Sequence, residues 1–316
     1  MLFNMIDNIP KISVLIVSYN QEDVISRAID SVLAQKDYLY EICVSDDCST
    51  DGTWKILQDY SNKYPDLFVL NQNNPNVMMF ENQEKVWTMA SGDVVTVLAG
   101  DDECGYGWLK KVVNFILENN IDYKNEKFCI YGNFKAIYPN GDSYIHDNRD
   151  ILCKANPLKL SIRGLIGNRS TCFSINVLRK FQRVSQGRSY IAEGAIDRQL
   201  QVWTEKNYHI PWVGNIYYAR IGVSISISGE RSDQHKARWD YLISKLKEWN
   251  VNLDSKDRNY IEYRKAKENN SKIATLLYGL KSIDLKLGLK GFQFRRVLFA
   301  ILRRFPHSNS IQDFRV

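Results

Sequence analysis

The chain has 316 residues, of which 44% are hydrophobic and 25% are charged, a composition typical of a folded globular protein rather than a disordered or fibrous one. The net charge is +6, and lysine and arginine are concentrated toward the C-terminus. We expect neither a signal peptide nor a membrane span, because no segment approaches the roughly 20 apolar residues that a span needs. The six cysteines form no C-x-x-C pair, which argues against a zinc site and favours free thiols in a reducing compartment.

The first hundred residues alternate between strand-like and helix-like patterns. Apolar, β-branched runs predict strands over residues 12–18, 40–45, 67–70 and 94–99. Apolar residues at helical spacing predict the intervening helices, over about 22–35, 54–61 and 80–91. Strands that alternate with helices of this length predict βαβ units, and therefore an α/β fold with a mostly parallel central sheet flanked by helices.

Polar and acidic residues follow three of these predicted strands. They are Ser18-Tyr19-Asn20, Asp46-Asp47 and Asp101-Asp102-Glu103. The carboxyl ends of parallel strands meet at one edge of a sheet, where α/β folds bind their ligands, and carboxylates there can hold a divalent cation against a phosphate. One Asp-Asp pair alone would be read as a solvated turn; three such loops at one edge favour a binding site. The phosphate-binding motifs G-x-G-x-x-G and G-x-x-x-x-G-K-[ST] are missing, which argues against dinucleotide-binding and P-loop proteins.

The second half of the chain predicts a more varied set of elements. A helix through about residue 118 precedes a strand over 128–138, which a Pro-Asn-Gly-Asp turn at 139–142 folds into a hairpin. Residues 144–157 have no clear period and predict a loop. An acidic residue opens a helix that ends near Asn207, and a strand follows. From Ser232 onward the sequence is helical and increasingly basic, so we expect a helical C-terminal extension.

Four short segments, in order and at the right approximate spacing, resemble the inverting family 2 glycosyltransferases. They are residues 14–20, 44–53 and 90–93, and Asp101-Asp102. Asn82 is similar to an asparagine that many bacterial surface-polysaccharide members carry. The resemblance implies the GT-A nucleotide-diphosphosugar transferase fold. It is clear over residues 11–118 and looser to about 226. We therefore expect a catalytic domain over 1–228, with a nucleotide-sugar-binding half at 11–118 and an acceptor-side half at 119–228, and a helical region over 229–316.

The resemblance also implies roles for particular residues in donor binding. The backbone around Val17, Ser18 and Tyr19 and the carboxylate of Asp47 would hold the nucleotide base, since a carboxylate accepts a hydrogen bond from an imide N–H. Asp102 would bind Mg²⁺ or Mn²⁺, and Asp101 would lie nearer the ribose. For Asp46, a binding role and a turn-capping role are about equally supported, whereas Asp51 is expected to cap a turn or helix.

The expected general base is Asp197, where the family has a Glu-Asp pair at the start of a helix. Ile196 replaces the usual glutamate, and Glu193, one turn earlier, is the reserve candidate. An acid at a helix N-terminus also interacts favourably with the helix dipole, and the two roles are compatible. Many relatives have a histidine where this chain has Gly222, so a third protein ligand of the metal is not identified. His235 is expected at the surface, and Arg169 is interpreted as either a diphosphate contact or a surface residue.

These residues predict an inverting, metal-dependent transferase that moves a sugar from a nucleotide diphosphosugar, by default a UDP-sugar, to a saccharide or lipid-linked acceptor. The expected pathway is O-antigen, capsule or another bacterial surface polysaccharide. Two alternatives stay open: a catalytically silent nucleotide-sugar-binding scaffold protein and, with less support, a sugar nucleotidyltransferase. The stripe of apolar and basic residues over 289–305 suits an anionic membrane surface or packing on protein. We expect a cytoplasmic, peripheral protein with no nucleic-acid partner.

Overall fold

The computed structural model describes residues 9–147, 157–162, 170–180, 193–218, 232–268 and 271–283. Its strands are β1 (Ile12–Ser18), β2 (Glu41–Asp46), β3 (Phe68–Gln72), β4 (Val94–Ala99), β5 (Glu103–Cys104), β6 (Phe128–Ile137), β7 (Ser143–His146), β8 (Thr171–Ser174) and β9 (Lys206–Tyr218). Its helices are α1 (Ile25–Leu33), α2 (Thr53–Lys63), α3 (Met79–Met89), α4 (Trp108–Glu118), α5 (Pro157–Ile162), α6 (Ile175–Leu178), α7 (Glu193–Trp203), α8 (Ser232–Glu248), α9 (Ser255–Glu268) and α10 (Lys272–Lys281). A short 3₁₀ turn (Lys36–Tyr38) follows α1.

Within the described residues, the strands form one mixed sheet in the order β3-β2-β1-β4-β8-β6-β9-β5, with β7 paired to β6. The pairs β2–β3, β1–β2 and β1–β4 are parallel, as the βαβ pattern predicts. Beyond β4 the sheet gains antiparallel pairs through β8, β7 and β5 and one more parallel pair, β6–β9. The described strands therefore form a mixed sheet, whereas the sequence predicted a mostly parallel one. The predicted binding residues therefore follow three adjacent parallel strands, β2, β1 and β4, at their carboxyl ends.

Two hydrophobic clusters cover the two faces of the sheet. Successive residues of a strand point to opposite faces, so the continuous apolar run of β1 serves both clusters. Ile12, Val14 and Ile16 pack with α1, α2 and α4, while Leu15 packs with α3 and with α5 to α9. In α1 the buried residues recur at helical spacing, so one face of the helix packs against the sheet. The α/β interpretation, with helices on both faces, is confirmed.

The C-terminal helices share a core with the sheet. Trp239 and Leu242 of α8 and Tyr260 of α9 are buried in the same cluster as Leu15 of β1 and Phe173 of β8. α10 is different, because its apolar residues Ile273, Leu276, Leu277 and Leu280 are 81%, 39%, 48% and 48% exposed. None of the helices in the described part of the chain is long and apolar enough to cross a membrane.

Two details differ from the sequence-based expectations. Residues 143–146 form a strand, β7, where a loop was predicted over 144–157, and residues 157–162 form α5. β7 is a four-residue edge strand with three exposed side chains, so it carries no burial pattern that a sequence would reveal. The predicted turn at 139–142 is confirmed, because Tyr138 N–H donates to the carbonyl of Asp142 at 2.8 Å and Gly141 has a φ of +87°.

The described cysteines, namely Cys43, Cys48, Cys104, Cys129 and Cys172, are free thiols. All except Cys48 are buried. Burial raises the pKa of the thiols of Cys104 and Cys172 to about 12, so both stay protonated at neutral pH and act as small apolar side chains.

Candidate functional site

Asp47 lies in a polar network at the carboxyl end of β2. Its side chain is 2% exposed, and its Oδ1 accepts hydrogen bonds from Asn73 Nδ2 at 3.0 Å and from the backbone N–H of Val77 at 2.8 Å. Asn76 Nδ2 donates to the Asp47 carbonyl at 2.7 Å. Asn73 also donates to Asn82 Oδ1 at 2.8 Å. Among the described residues, the hydrogen bonds of the carboxylate go to Oδ1, so Oδ2 is the oxygen left for a ligand.

Asp46, the preceding residue, uses both of its carboxylate oxygens within the protein. Ser18 Oγ and Ser49 Oγ donate to Oδ1. The Ser49 backbone N–H and Gln72 Nε2 donate to Oδ2 at 3.0 and 3.2 Å. The side chain is fully buried. This arrangement supports the capping role for Asp46, because it ties the ends of three strands and the following turn together.

Asp51 accepts backbone hydrogen bonds in the turn that leads into α2, as expected of a capping residue. The backbone N–H groups of Glu22 and Thr53 donate to its carboxylate at 3.1 and 3.0 Å. Burial by itself would raise the pKa of Asp51, but the hydrogen bonds from Thr53 and Glu22 outweigh it, so the pKa lies below the ordinary value of 3.8. The contact joins the loop after β1 to the start of α2.

The end of β1 is held by backbone contacts on both sides. The carbonyl of Val17 accepts a hydrogen bond from the Gly100 N–H at 3.0 Å, and the carbonyl of Ser18 accepts one from the Asp47 N–H at 2.9 Å. Tyr19 is 45% exposed. A Cβ at Gly100 would overlap Gln21 Oε1 and would lie 3.1 Å from the Val17 carbonyl. A larger residue at position 100 would therefore require Gln21 to move and the backbone at Val17 to shift slightly.

The turn at Asp101, Asp102 and Glu103 follows β4 and is held by residues from distant parts of the chain. Arg27, in the middle of α1, donates from Nη2 to the Asp101 carbonyl at 2.9 Å, and its Nε lies 3.1 Å from Glu103 Oε1. Tyr218, the last residue of β9, donates to the same Glu103 oxygen at 2.6 Å. The Arg27 guanidinium carbon lies 3.9 Å from the centre of the Tyr218 ring. Burial, followed by the hydrogen bond to Glu103, raises the pKa of Tyr218.

Asp102 is the most buried acid of this turn, at 4% exposed. Asn215 Nδ2, on β9, lies 3.4 Å from its Oδ2. The described residues contain no group of three or more His, Cys, Asp or Glu side chains that would enclose a metal ion. One carboxylate beside an amide fits a hard cation of the Mg²⁺ type, which keeps several waters and takes its other oxygens from substrate phosphates. The donor set therefore fits a cation shared with a diphosphate.

The predicted general base lies in α7, as expected from the sequence. Glu193 is the first residue of this helix and Asp197 the fifth, and the side chains of both lie outside the described residues. Arg169, Gly222 and residues 289–305 also lie outside them. His235 belongs to α8, and its side chain is not among those described. The predicted residues that the structure brings to one sheet edge are therefore Val17, Ser18, Tyr19, Asp47, Asp101 and Asp102.

Several residues at this edge were missed by the sequence analysis. Asn73 and Asn76 follow β3 in an asparagine-rich loop, and that composition at the end of a parallel strand was the available signal. Arg27 lies within an ordinary amphipathic helix, and Asn215 and Tyr218 lie in a long strand. Nothing in their local sequence marks these three, because their partners are more than 70 residues away.

The family model for "Glycosyl transferase family 2" matches residues 13–177, just over half of the chain, and the chain belongs to this family. It is 35% identical over 107 residues to EpsE of Bacillus subtilis (strain 168), provisionally named a glycosyltransferase, which is 34% of this chain and 38% of EpsE. It is also 35% identical over 112 residues to TuaG of the same organism, provisionally named a teichuronic acid biosynthesis glycosyltransferase, covering 35% and 44% of the two chains. The match thus spans less than half the length of either relative.

The structure is similar to S. aureus TarS 1–349 in complex with UDP-GlcNAc. The TM-score is 0.63 at 17% sequence identity, over 96% of this chain and 95% of that one. At this identity the likeness establishes the fold alone. The predicted GT-A fold with a helical C-terminal region is confirmed.

Proposed function

We propose that this protein is an inverting, metal-dependent glycosyltransferase that uses a nucleotide diphosphosugar, with UDP as the nucleotide. The observation that carries the proposal is the pair of sites at one sheet edge: Asp47, with one carboxylate oxygen left for a ligand, and the Asp102 turn two strands away. Family membership supports the same reading, as does the likeness to TarS, whose structures contain UDP-GlcNAc and UDP.

The base of the donor is proposed to bind at Asp47. Its Oδ1 is occupied by Asn73 and Val77, so Oδ2 accepts the imide N–H of uracil, a hydrogen bond strengthened by the charge of the acceptor. The backbone of Val17, Ser18 and Tyr19 forms the adjoining wall, and Asp101 lies toward the ribose.

Asp102 is proposed to hold Mg²⁺ or Mn²⁺ against the diphosphate, with Arg27 and Tyr218 keeping the turn in place. When bound, such a cation stabilises the negative charge that develops on the leaving nucleoside diphosphate.

Asp197 is the proposed general base, with Glu193 in reserve. It accepts the proton of the acceptor hydroxyl while that oxygen forms a bond to the anomeric carbon. The bond from the anomeric carbon to the diphosphate oxygen breaks in the same displacement and its electron pair leaves with the diphosphate. One displacement inverts the anomeric centre and needs no covalent enzyme intermediate.

The proposed acceptor is a saccharide or lipid-linked saccharide of a bacterial surface polysaccharide such as O-antigen or capsule, made at the cytoplasmic face of the membrane. The name of TuaG, which refers to teichuronic acid, supports this class. We further propose that the protein is cytoplasmic and peripheral, and that the basic segment 289–305 contacts anionic lipid. The exposed apolar residues of α10, flanked by Lys272 and Lys281, support a lipid-facing surface. Residues 1–228 would form the catalytic domain and 229–316 a helical region, of which α8 and α9 share the core of the sheet.

A donor screen tests the proposed function. Full-length protein is heated with each of a panel of nucleotide diphosphosugars in the presence of Mn²⁺ or Mg²⁺, and the apparent Tm is recorded, because a ligand that binds the folded state raises it. We expect a UDP-sugar to raise the Tm of the wild type and to raise that of Asp102→Ala much less. Equal stabilisation of both proteins by every donor would contradict the role of Asp102. A bound donor with no turnover on any acceptor, and no effect of Asp197→Asn on polysaccharide output, would instead favour the silent scaffold.

The membrane contact is tested separately by sedimentation of the protein with phosphatidylglycerol vesicles. We expect binding that is lost on substitution of Leu276 and Leu277 by serine together with deletion of residues 289–305. Unchanged binding of that variant would contradict the contact.

A further inference from the structure

Asn215 is a buried asparagine whose two amide atoms have different surroundings. It is 3% exposed, and its Nδ2 lies 3.4 Å from Asp102 Oδ2. Its Oδ1 is also buried, and among the described residues no donor reaches it. Buried side-chain carbonyl oxygens are nearly always paired, so an unpaired one indicates a partner that the protein alone does not supply.

The position of Asn215 in β9 directs its side chain to the acid turn. The pairing of β9 with β5 sets Asn215 opposite Cys104, two residues after Asp102. Its neighbour Gly214 lies against the other face, where a Cβ would come within 2.7 Å of the Trp108 ring. The 3.4 Å distance from Asn215 Nδ2 to Asp102 Oδ2 shows that the Asn215 side chain points toward the acid turn.

One other carboxylate oxygen of the turn is already used within the protein. Glu103 Oε1 is already shared by Arg27 and Tyr218, and the described residues form no larger acidic cluster. Hard cations take carboxylate and side-chain carbonyl oxygens together. The amide oxygen of Asn215 is a neutral side-chain oxygen beside the Asp102 carboxylate, because the nitrogen of the same amide lies 3.4 Å from Asp102 Oδ2.

We propose that Asn215 supplies a second protein oxygen, through Oδ1, to the cation held at Asp102; this inference rests on the proposed function. One negative carboxylate and one neutral amide attract a divalent ion weakly. The diphosphate of the donor provides the remaining charge, so Mn²⁺ and UDP bind together more tightly than either does alone.

The test is a Mn²⁺ titration of full-length protein with saturating UDP, in which the electron paramagnetic resonance signal of free Mn²⁺ gives the Kd. Asn215→Leu removes the oxygen at similar volume, and we expect the Mn²⁺ Kd to rise about tenfold or more. Asn215→Asp keeps an oxygen and loses the N–H donor. We expect it to bind Mn²⁺ at least as tightly as the wild type, and its Tm without metal to fall and to recover with Mn²⁺.

Asn207→Asp is the matched control, because it adds the same charge at an exposed position of the same strand, and we expect its Kd to equal that of the wild type. A wild-type Kd for Asn215→Leu would overturn the proposal. So would equal weakening by Leu and Asp, which is the result of a purely structural hydrogen bond to Asp102, or weakened UDP-sugar binding with an unchanged Mn²⁺ Kd, which would indicate a contact to a sugar hydroxyl. If the wild type with UDP binds no Mn²⁺, or Asp102→Ala binds it equally well, the proposed function itself fails, and this inference with it.

Discussion

The base-binding end and the cation-binding end of the proposed site are built in different ways. At the base end, Asp47 accepts hydrogen bonds from the Asn73 side chain and the Val77 backbone N–H, and Asn73 also donates to Asn82 of α3. These residues all lie between positions 47 and 82 of the chain. At the cation end, the Asp102 turn is held by Arg27 and Tyr218. These two residues lie near opposite ends of the predicted catalytic domain in sequence.

This difference implies that the two ends respond differently to ligands. The hydrogen bonds of the base end lie within the protein, so we expect this end to be organised before the nucleotide binds. Among the described residues, the cation end has a buried amide oxygen without a donor and no larger group of acidic ligands, so we propose that the ion and the diphosphate complete it. On this proposal, we expect the preorganised contacts to set donor affinity and the completed cation end to act on the transition state.

The largest expected effect is on turnover, at the cation end and the general base. Asp102→Ala should lower kcat/KM by about a thousandfold or more, because loss of the cation removes several kcal/mol of transition-state stabilisation. Asp197→Asn should lower kcat by about 10²- to 10⁴-fold. Glu193→Gln is the control, with an expected change below about threefold. Steady-state kinetics with the donor from the screen measure all three variants. If Glu193→Gln lowers kcat more than Asp197→Asn does, the general base is Glu193 and not Asp197.

Asp47 and Asp46 offer a direct contrast at the base end. Asp47→Asn keeps Oδ1 but places an N–H₂ group where the imide N–H must donate, so we expect the KM for the donor to rise about 10- to 100-fold, with kcat nearly unchanged and little loss of stability. Asp46→Asn loses an acceptor for the Ser49 N–H and Gln72, and should cost about 1–3 kcal/mol in unfolding free energy. Urea unfolding and donor kinetics on both variants separate the roles. A large stability loss in Asp47→Asn would contradict the claim of a ligand-facing oxygen.

Arg27 tests whether the acid turn is held from a distance. Arg27→Met keeps the apolar stem over Tyr218 and removes the contacts to Asp101 and Glu103, so we expect the Mn²⁺ Kd with UDP to rise a few-fold, while UDP binding without metal is unchanged. Arg258→Met, at an exposed position of α9, is the control for loss of one positive charge. If both substitutions raise the Mn²⁺ Kd equally, the weaker binding comes from the lost positive charge and not from the lost contacts to the turn.

The smallest expected effect is on the unfolding free energy and comes from Asp51, in the loop that precedes α2. Since the pKa of Asp51 in the folded protein lies below 3.8, its hydrogen bonds stabilise the fold above that pH, and this stabilisation is lost as the pH falls through the folded-state pKa. The difference in unfolding free energy between the wild type and Asp51→Ala should therefore be constant near neutral pH and shrink below about pH 4. Urea titrations at a series of pH values measure it; a difference that grows on acidification would contradict the assignment.

The sequence predicted which polar residues end β1, β2 and β4, but not which distant residues contact them, for a physical reason. β1, β2 and β4 are buried on both faces, so their apolar runs and the polar loops that follow them are visible locally. Asp47 could be placed at the edge by strand order alone. Arg27 and Asn215 reach the acid turn only through tertiary packing, and β7 is an exposed edge strand held by backbone pairing to β6. Such contacts leave no periodic signal, so these features appear only in the structure.

Calorimetric titration of UDP into the wild type, Asp47→Asn and Asp102→Ala, each with and without Mn²⁺, tests the central claim most directly. We predict that Mn²⁺ tightens UDP binding to the wild type at least tenfold, and that it has little effect on Asp102→Ala, whose metal-free affinity equals that of the wild type. Asp47→Asn should bind UDP more weakly under both conditions and keep its response to Mn²⁺. A wild-type affinity that does not respond to Mn²⁺, or an Asp47→Asn protein that binds UDP like the wild type, would contradict the account.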